Sequence, residues 1–100
     1  MFVLPSFLEG LPVPTMEFMA CGGAVVPMDC LGTWDCAVNG VNCLMVPTRD
    51  SGALSKAVIP VLTDKVLSDK LRMIGLGTAP PWTYGRMESI FLETLKAAKE

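Results

Sequence analysis

Three short apolar runs, Phe2–Leu4, Ala24–Val26 and Cys43–Val46, set the tightest limit on how this chain folds. Each is strand-length, and each is followed by turn residues and then a helical pattern. That alternation favours an α/β fold, with a parallel sheet of about three strands and helices packed around it. Pro14 suits the first turn of a helix running to about Ala20, because its missing N–H has no partner there anyway. Gly22 suits the left-handed residue that ends such a helix. Asp29–Gly32 reads as a loop, and Thr33–Val38 as a helical turn closed by Asn39-Gly40. Asp50 or Ser51 caps the next helix, whose Leu54, Ala57, Val58, Val61 and Leu62 follow helical spacing, with a kink expected at Pro60. A further helix starts at Thr63 or Asp64, with Leu67, Leu71 and Ile74 on one face. A last one, about Gly85–Lys99, is expected to turn Met87, Ile90, Phe91 and Leu95 inward. No repeat, low-complexity stretch or linker divides the chain, so residues 1–100 read as one compact unit.

Hydrophobic residues make up 51% of the chain and charged ones 18%, against about 45–50% and about 25% in ordinary domains. Such a chain has strands covered on both faces, or lacks a partner that covers it. A net charge of −2 without a Lys/Arg cluster argues against nucleic acid as a partner. Met1–Leu4 runs straight into Pro5, so no signal peptide is expected. No apolar run approaches the ~20 residues needed to cross a bilayer, which leaves a soluble chain or one peripheral to a membrane. Cys21, Cys30, Cys36 and Cys43 show no CxxC spacing, and histidine is absent. No metal site is expected from that set. Free, mostly buried thiols in a reducing cytosol fit better, with a disulfide framework as the lesser alternative.

Two carboxylates, Glu9 and Glu17, carry the candidate chemistry. Glu9 sits in a Ser/Gly/Pro loop after the first apolar run, and Glu17 near the start of the short helix that follows. Ligands of open α/β sheets bind beyond the carboxyl ends of the strands, the edge on which both acids fall. A carboxylate there can accept charge-assisted hydrogen bonds from two neighbouring hydroxyls of a ribose. Gly10, without a Cβ, lets the backbone approach a sugar or diphosphate closely. Taken singly, either acid is better explained as a solvated loop or helix residue.

The surrounding string alters that balance. Ser6, Glu9, Gly10, Pro12, Glu17, Met19, Ala20, Gly22, Val25 and Val26 closely resemble the signature of the retaining family 4 (group 1) glycosyltransferases. Asp29, Gly32, Asp35, Asn39-Gly40, Val46-Pro47, Asp50, Trp82-Thr83-Tyr84 and Arg86 extend the resemblance. It implies the C-terminal, donor-binding portion of a GT-B fold, a partial Rossmann-like three-layer unit. By resemblance, Glu17 holds the ribose of a UDP- or GDP-type nucleotide sugar. Glu9 is the catalytic candidate, set against the donor sugar, and Gly10, Leu11 and Pro12 line the donor site beside it. No cofactor and no metal are implied. The acceptor, a glycan or a lipid, would bind through an N-terminal domain that this sequence does not contain. A cytoplasmic location, with peripheral contact at the inner face of a membrane, is implied too.

The chain departs from the pattern at Leu31, Cys43 and Gly85, and it carries Pro60, Gly75, Gly77 and Pro80-Pro81 in helical territory. No basic residue lies within 1–47 to neutralise a leaving diphosphate. Arg49 is the nearest, and nothing in the sequence ties it to the site. The isolated chain is therefore expected to have little transferase activity, and the Phe2–Leu4 edge to invite self-association. A truncated, non-catalytic α/β module that binds nucleotide weakly or packs on a partner is the alternative. A dinucleotide oxidoreductase is excluded, because Gly75-Leu76-Gly77-Thr78-Ala79-Pro80 lacks a third Gly and follows a helix. A thiol enzyme lacks a histidine base.

Overall fold

The computed structural model describes residues 1–99. Strand β1 (Phe2–Leu4) leads through helix α1 (Val13–Ala20) to strand β2 (Val25–Pro27). The two strands pair in parallel, with Phe2 opposite Val25, Val3 opposite Val26 and Leu4 opposite Pro27. A 3₁₀ turn follows at Leu31–Asp35, then helices α2 (Ser51–Thr63), α3 (Lys65–Thr78) and α4 (Tyr84–Lys99). Alternation along β2 sends Val25 and Val26 into different cores. Val25 packs with Met16, Met19, Cys36, Ala37 and Cys43, while Val26 packs with Met28, Val46, Val61 and Leu71. Helices and loop thus cover the sheet on both faces, giving the α/β layering expected.

The third strand is shorter than expected, and Pro27 explains why. Leu44 donates its N–H to the Val25 carbonyl at 3.3 Å. The return bond of a parallel ladder would come from the N–H of residue 27, which proline does not have. Pairing resumes one step on: Val46 donates to the Pro27 carbonyl at 3.0 Å and accepts from the Asp29 N–H at 2.7 Å. Among the described residues this segment therefore forms an isolated bridge, Met28–Val46, just past β2 and not a full third strand. On its outer side, the Met45 N–H is taken by the Asn39 side chain at 2.9 Å and the Cys43 carbonyl by Gly40 N–H at 2.8 Å. Buried Asn42 fixes the same turn, accepting from Val38 N–H and donating to the Cys36 carbonyl and to Thr78 Oγ1.

The helix ends follow their sequence signals. Gly22, at φ 75°, closes α1: Gly22 N–H reaches the Met19 carbonyl and Gly23 N–H the Phe18 carbonyl, the paired bonds of a Schellman cap. Asp50 and Asp64 cap α2 and α3 by accepting from Ala53 and Leu67 N–H. Helix α2 continues through Pro60 and stops a turn later. Helix α3 lays Leu71, fully buried, against the sheet and passes α1 closely where Gly75 faces Met19.

Helix α4 departs from the expectation. Met87, Ile90, Phe91 and Leu95 are not turned inward but are 61, 51, 61 and 49% exposed, and no residue of α4 is buried. Its helical spacing defines an apolar face, but no other element of the described chain lies opposite to cover it. The described residues extend 54 × 27 × 16 Å.

All four cysteines are free; Cys21 is exposed and the other three are buried. Burial, with Asp35 adding to it, pushes the Cys36 thiol from 9.0 up to about 11. Burial and the neighbouring Cys36 push the Cys43 thiol to about 12. At neutral pH a thiol reagent should modify Cys21 promptly and the others only after denaturant is added, as mass spectrometry of labelled peptides would show. Both shifted thiols ionise later folded than unfolded. Their contribution to stability is thus intact below pH 9.0 and lost as pH climbs through 11–12. Rapid labelling of Cys43 without denaturant would contradict this packing.

Candidate donor-binding site

The loop from Pro5 to Pro12 leaves the carboxyl end of β1 and carries the first candidate acid. Glu9 is partly buried, and its Oε1 accepts a hydrogen bond from Ser6 Oγ at 2.6 Å. A bond three residues back folds the loop on itself and holds the carboxylate in a defined place. Gly10 is exposed, with open space where a Cβ would stand. Leu11 is 37% exposed. Pro12 is fully buried, and its carbonyl accepts from Thr15 and Met16 N–H to start α1.

Helix α1 carries the second acid, one turn inside the helix rather than at its first residue. Helical spacing buries Thr15, Met16 and Met19 and leaves Glu17 on the exposed face. Glu17 opens onto a cleft of about 330 Å³ walled by Leu11, Val13 and Met16 on one side, and Trp82 and Tyr84 on the other. Its lining is largely apolar, with the Glu17 carboxylate as its charged group. Glu9 does not line this cleft; it lies on the neighbouring loop. Of the five sequence-derived site residues, Leu11 and Glu17 line the cleft, while Glu9, Gly10 and Pro12 form the loop that leads to it.

Two contacts at this rim were hidden from the sequence. Gly32, buried at the start of the 3₁₀ turn, lies directly against the Glu9–Gly10 backbone, so closely that a Cβ there would overlap both carbonyl oxygens. Arg49, which the sequence tied to nothing, places its guanidinium 5.2 Å from the centre of the Phe7 ring, on the loop that carries Glu9. Arg49 also takes a left-handed backbone conformation at φ 60°. Neither contact follows a periodicity that sequence could reveal. The aromatic wall of the cleft was visible as Trp82-Thr83-Tyr84, but only as a turn. Among the described residues, no three His, Cys, Asp or Glu side chains gather to hold a metal ion. No described helix is long and apolar enough to cross a membrane.

Known proteins resemble this chain in sequence and in fold. The chain is 39% identical over 66 residues to an N,N'-diacetylbacillosaminyl-diphospho-undecaprenol alpha-1,3-N-acetylgalactosaminyltransferase of Campylobacter jejuni, a match that covers 66% of this chain and 18% of that protein. Its fold superposes on sucrose-phosphate synthase from Thermosynechococcus elongatus with a TM-score of 0.83 and 25% identity, over 98% of this chain and 25% of that one. The chain thus spans a quarter or less of the length of either protein. A family model described as "Glycosyl transferases group 1" matches residues 1–64. With more than half of its length inside that match, this chain belongs to the group 1 glycosyltransferases.

Proposed function

We propose that this protein is the donor-binding part of a retaining glycosyltransferase that moves a sugar from a UDP- or GDP-type nucleotide sugar to a glycan or lipid acceptor. The observation that carries the reading is Glu17 on the rim of a mainly apolar cleft, in a chain of this family. Ligand clefts are typically about 300–1,000 Å³, apolar, with a few placed polar groups. One carboxylate beside an apolar wall suits a nucleoside: neighbouring ribose hydroxyls donate to the acid, and flat carbon surface packs on the wall. Glu17 is assigned the ribose. Glu9, with Gly10, Leu11 and Pro12, is assigned the donor sugar, orienting its hydroxyls or stabilising the positive charge that develops at the anomeric carbon. No metal takes part in this assignment. The Campylobacter relative is named for a diphospho-undecaprenol substrate, which favours a lipid-linked acceptor reached from the cytoplasmic face of a membrane. A second reading, a module that packs on a partner without catalysing transfer, draws support from the uncovered apolar face of α4.

Thermal unfolding with UDP- and GDP-sugars tests the proposal. The matching nucleotide sugar at about 100 times its Kd should stabilise the fold by about 2.7 kcal/mol. Removing the carboxylate in Glu17→Ala should weaken nucleotide binding by roughly 10- to 100-fold, the worth of charge-assisted hydrogen bonds, and shrink the shift accordingly. No protection by either nucleotide class, or unchanged affinity in Glu17→Ala, would overturn the assignment.

A further inference from the structure

We propose that Gly32 is a positioning residue for Glu9, and that Arg49 holds the same loop from its other end. The inference rests on the donor-site reading and adds what keeps the catalytic carboxylate in place. A Cβ on Gly32 would overlap the Gly10 and Glu9 carbonyl oxygens, so any side chain there forces one of the two segments to move. The turn that carries Gly32 cannot readily yield. Thr33, fully buried beside it, donates its hydroxyl to the Met28 carbonyl at 3.1 Å and its N–H to the Cys30 carbonyl at 2.9 Å. The Cys30 thiol lies 2.8 Å from Thr33 Oγ1, and Trp34 Nε1 donates to Asp29 Oδ1. The Glu9 loop has weaker moorings: Gly10 is exposed and Phe7 is 62% exposed. Added bulk at Gly32 therefore displaces the loop, and Glu9 with it.

Arg49 acts at the Phe7 end of the same loop. Its guanidinium over the ring is a cation–π contact. Gly32 follows β2 and Arg49 follows the bridged segment ending at Val46, so residues after both reach the Phe7–Gly10 stretch of the loop. Nucleotide binding is assigned to Glu17, which sits on α1 and not on the loop that these contacts hold. Damage at Gly32 should for that reason appear in turnover and not in nucleotide affinity.

The test is a double-mutant cycle in an enzyme completed on its acceptor side. Gly32→Ala should lower kcat by about tenfold or more, as misplacing a catalytic group by about 1 Å does, while the Kd for UDP or GDP stays within about twofold. Combined with Glu9→Ala, it should cost almost nothing further, because both changes remove one interaction. Arg49→Ala, at an exposed site that does not threaten folding, should give a smaller loss of kcat with the same unchanged nucleotide Kd, and Arg49→Lys should restore it. Additive losses of Gly32→Ala and Glu9→Ala, or loss of nucleotide binding in Gly32→Ala, would show a general role in folding and overturn the inference. Wild-type protein that binds no nucleotide would overturn the donor-site reading, and this inference with it.

Discussion

Replacing Glu9 by Ala should lower kcat by about 10²–10³-fold in an enzyme completed on its acceptor side, the cost of losing one preorganised electrostatic group. The same change should alter donor Kd much less. The difference arises because positive charge builds on the sugar only as the bond to the leaving diphosphate breaks, so a carboxylate aimed there acts mainly in the transition state. Its placement supports that role: Ser6 Oγ holds one oxygen at 2.6 Å, and the loop behind it rests on Gly32. Glu9→Gln separates charge from shape, since the amide keeps the size of the acid without its negative charge. Steady-state kinetics, with nucleotide-sugar affinity measured by calorimetry, would read both effects. Wild-type turnover in Glu9→Ala would remove this residue from the mechanism.

Leu71→Ala should bring the largest loss of stability, about 2–5 kcal/mol, because deleting a buried leucine forfeits its transfer energy and leaves a cavity. Leu71 is fully buried and packs with Val26 of β2 and Val61 of α2. It therefore joins the sheet to both helices on that face. Against a domain stability of typically about 5–15 kcal/mol, such a loss would remove a large share of the total at the lower end of that range. Val66, on the same helix, is 80% exposed, and Val66→Ala should stay within about 0.5 kcal/mol. Urea unfolding of the pair measures the contrast. A loss below about 1 kcal/mol for Leu71→Ala would mean that the core on this face is not packed as described.

What sequence revealed, and what it missed, divides along the range of the interactions. Caps and turn signals act over three or four residues, so Asp50, Asp64, Gly22 and Gly40 could be read directly from their neighbours. Strand and helix patterns act over one element, and they placed β1, β2 and the buried face of α3 at Leu67 and Leu71. The same periodicity identified the apolar face of α4 but not what would cover it, because a pattern defines a face and leaves its partner unspecified. Pro27 could have warned that the third strand would be interrupted, yet its effect depends on which residue stands opposite. At the site, the string around Glu9 and Glu17 pointed to donor chemistry through resemblance. Gly32 beneath Gly10 and Arg49 above Phe7 join loops remote in sequence, and neither residue type announces such a neighbour.

The gap that Pro27 leaves in the ladder has a consequence for how this sheet comes apart. Hydrogen bonds from the outlying segment crowd toward Val46 and Asp29, at 3.0 and 2.7 Å, while the earlier one at Leu44 is stretched to 3.3 Å. The Leu44 bond is therefore expected to open before those of Val46, while the tighter bonds clamp the stretch that leads into Arg49. Loosening at Leu44 would leave the contact between Arg49 and the Phe7 loop in place.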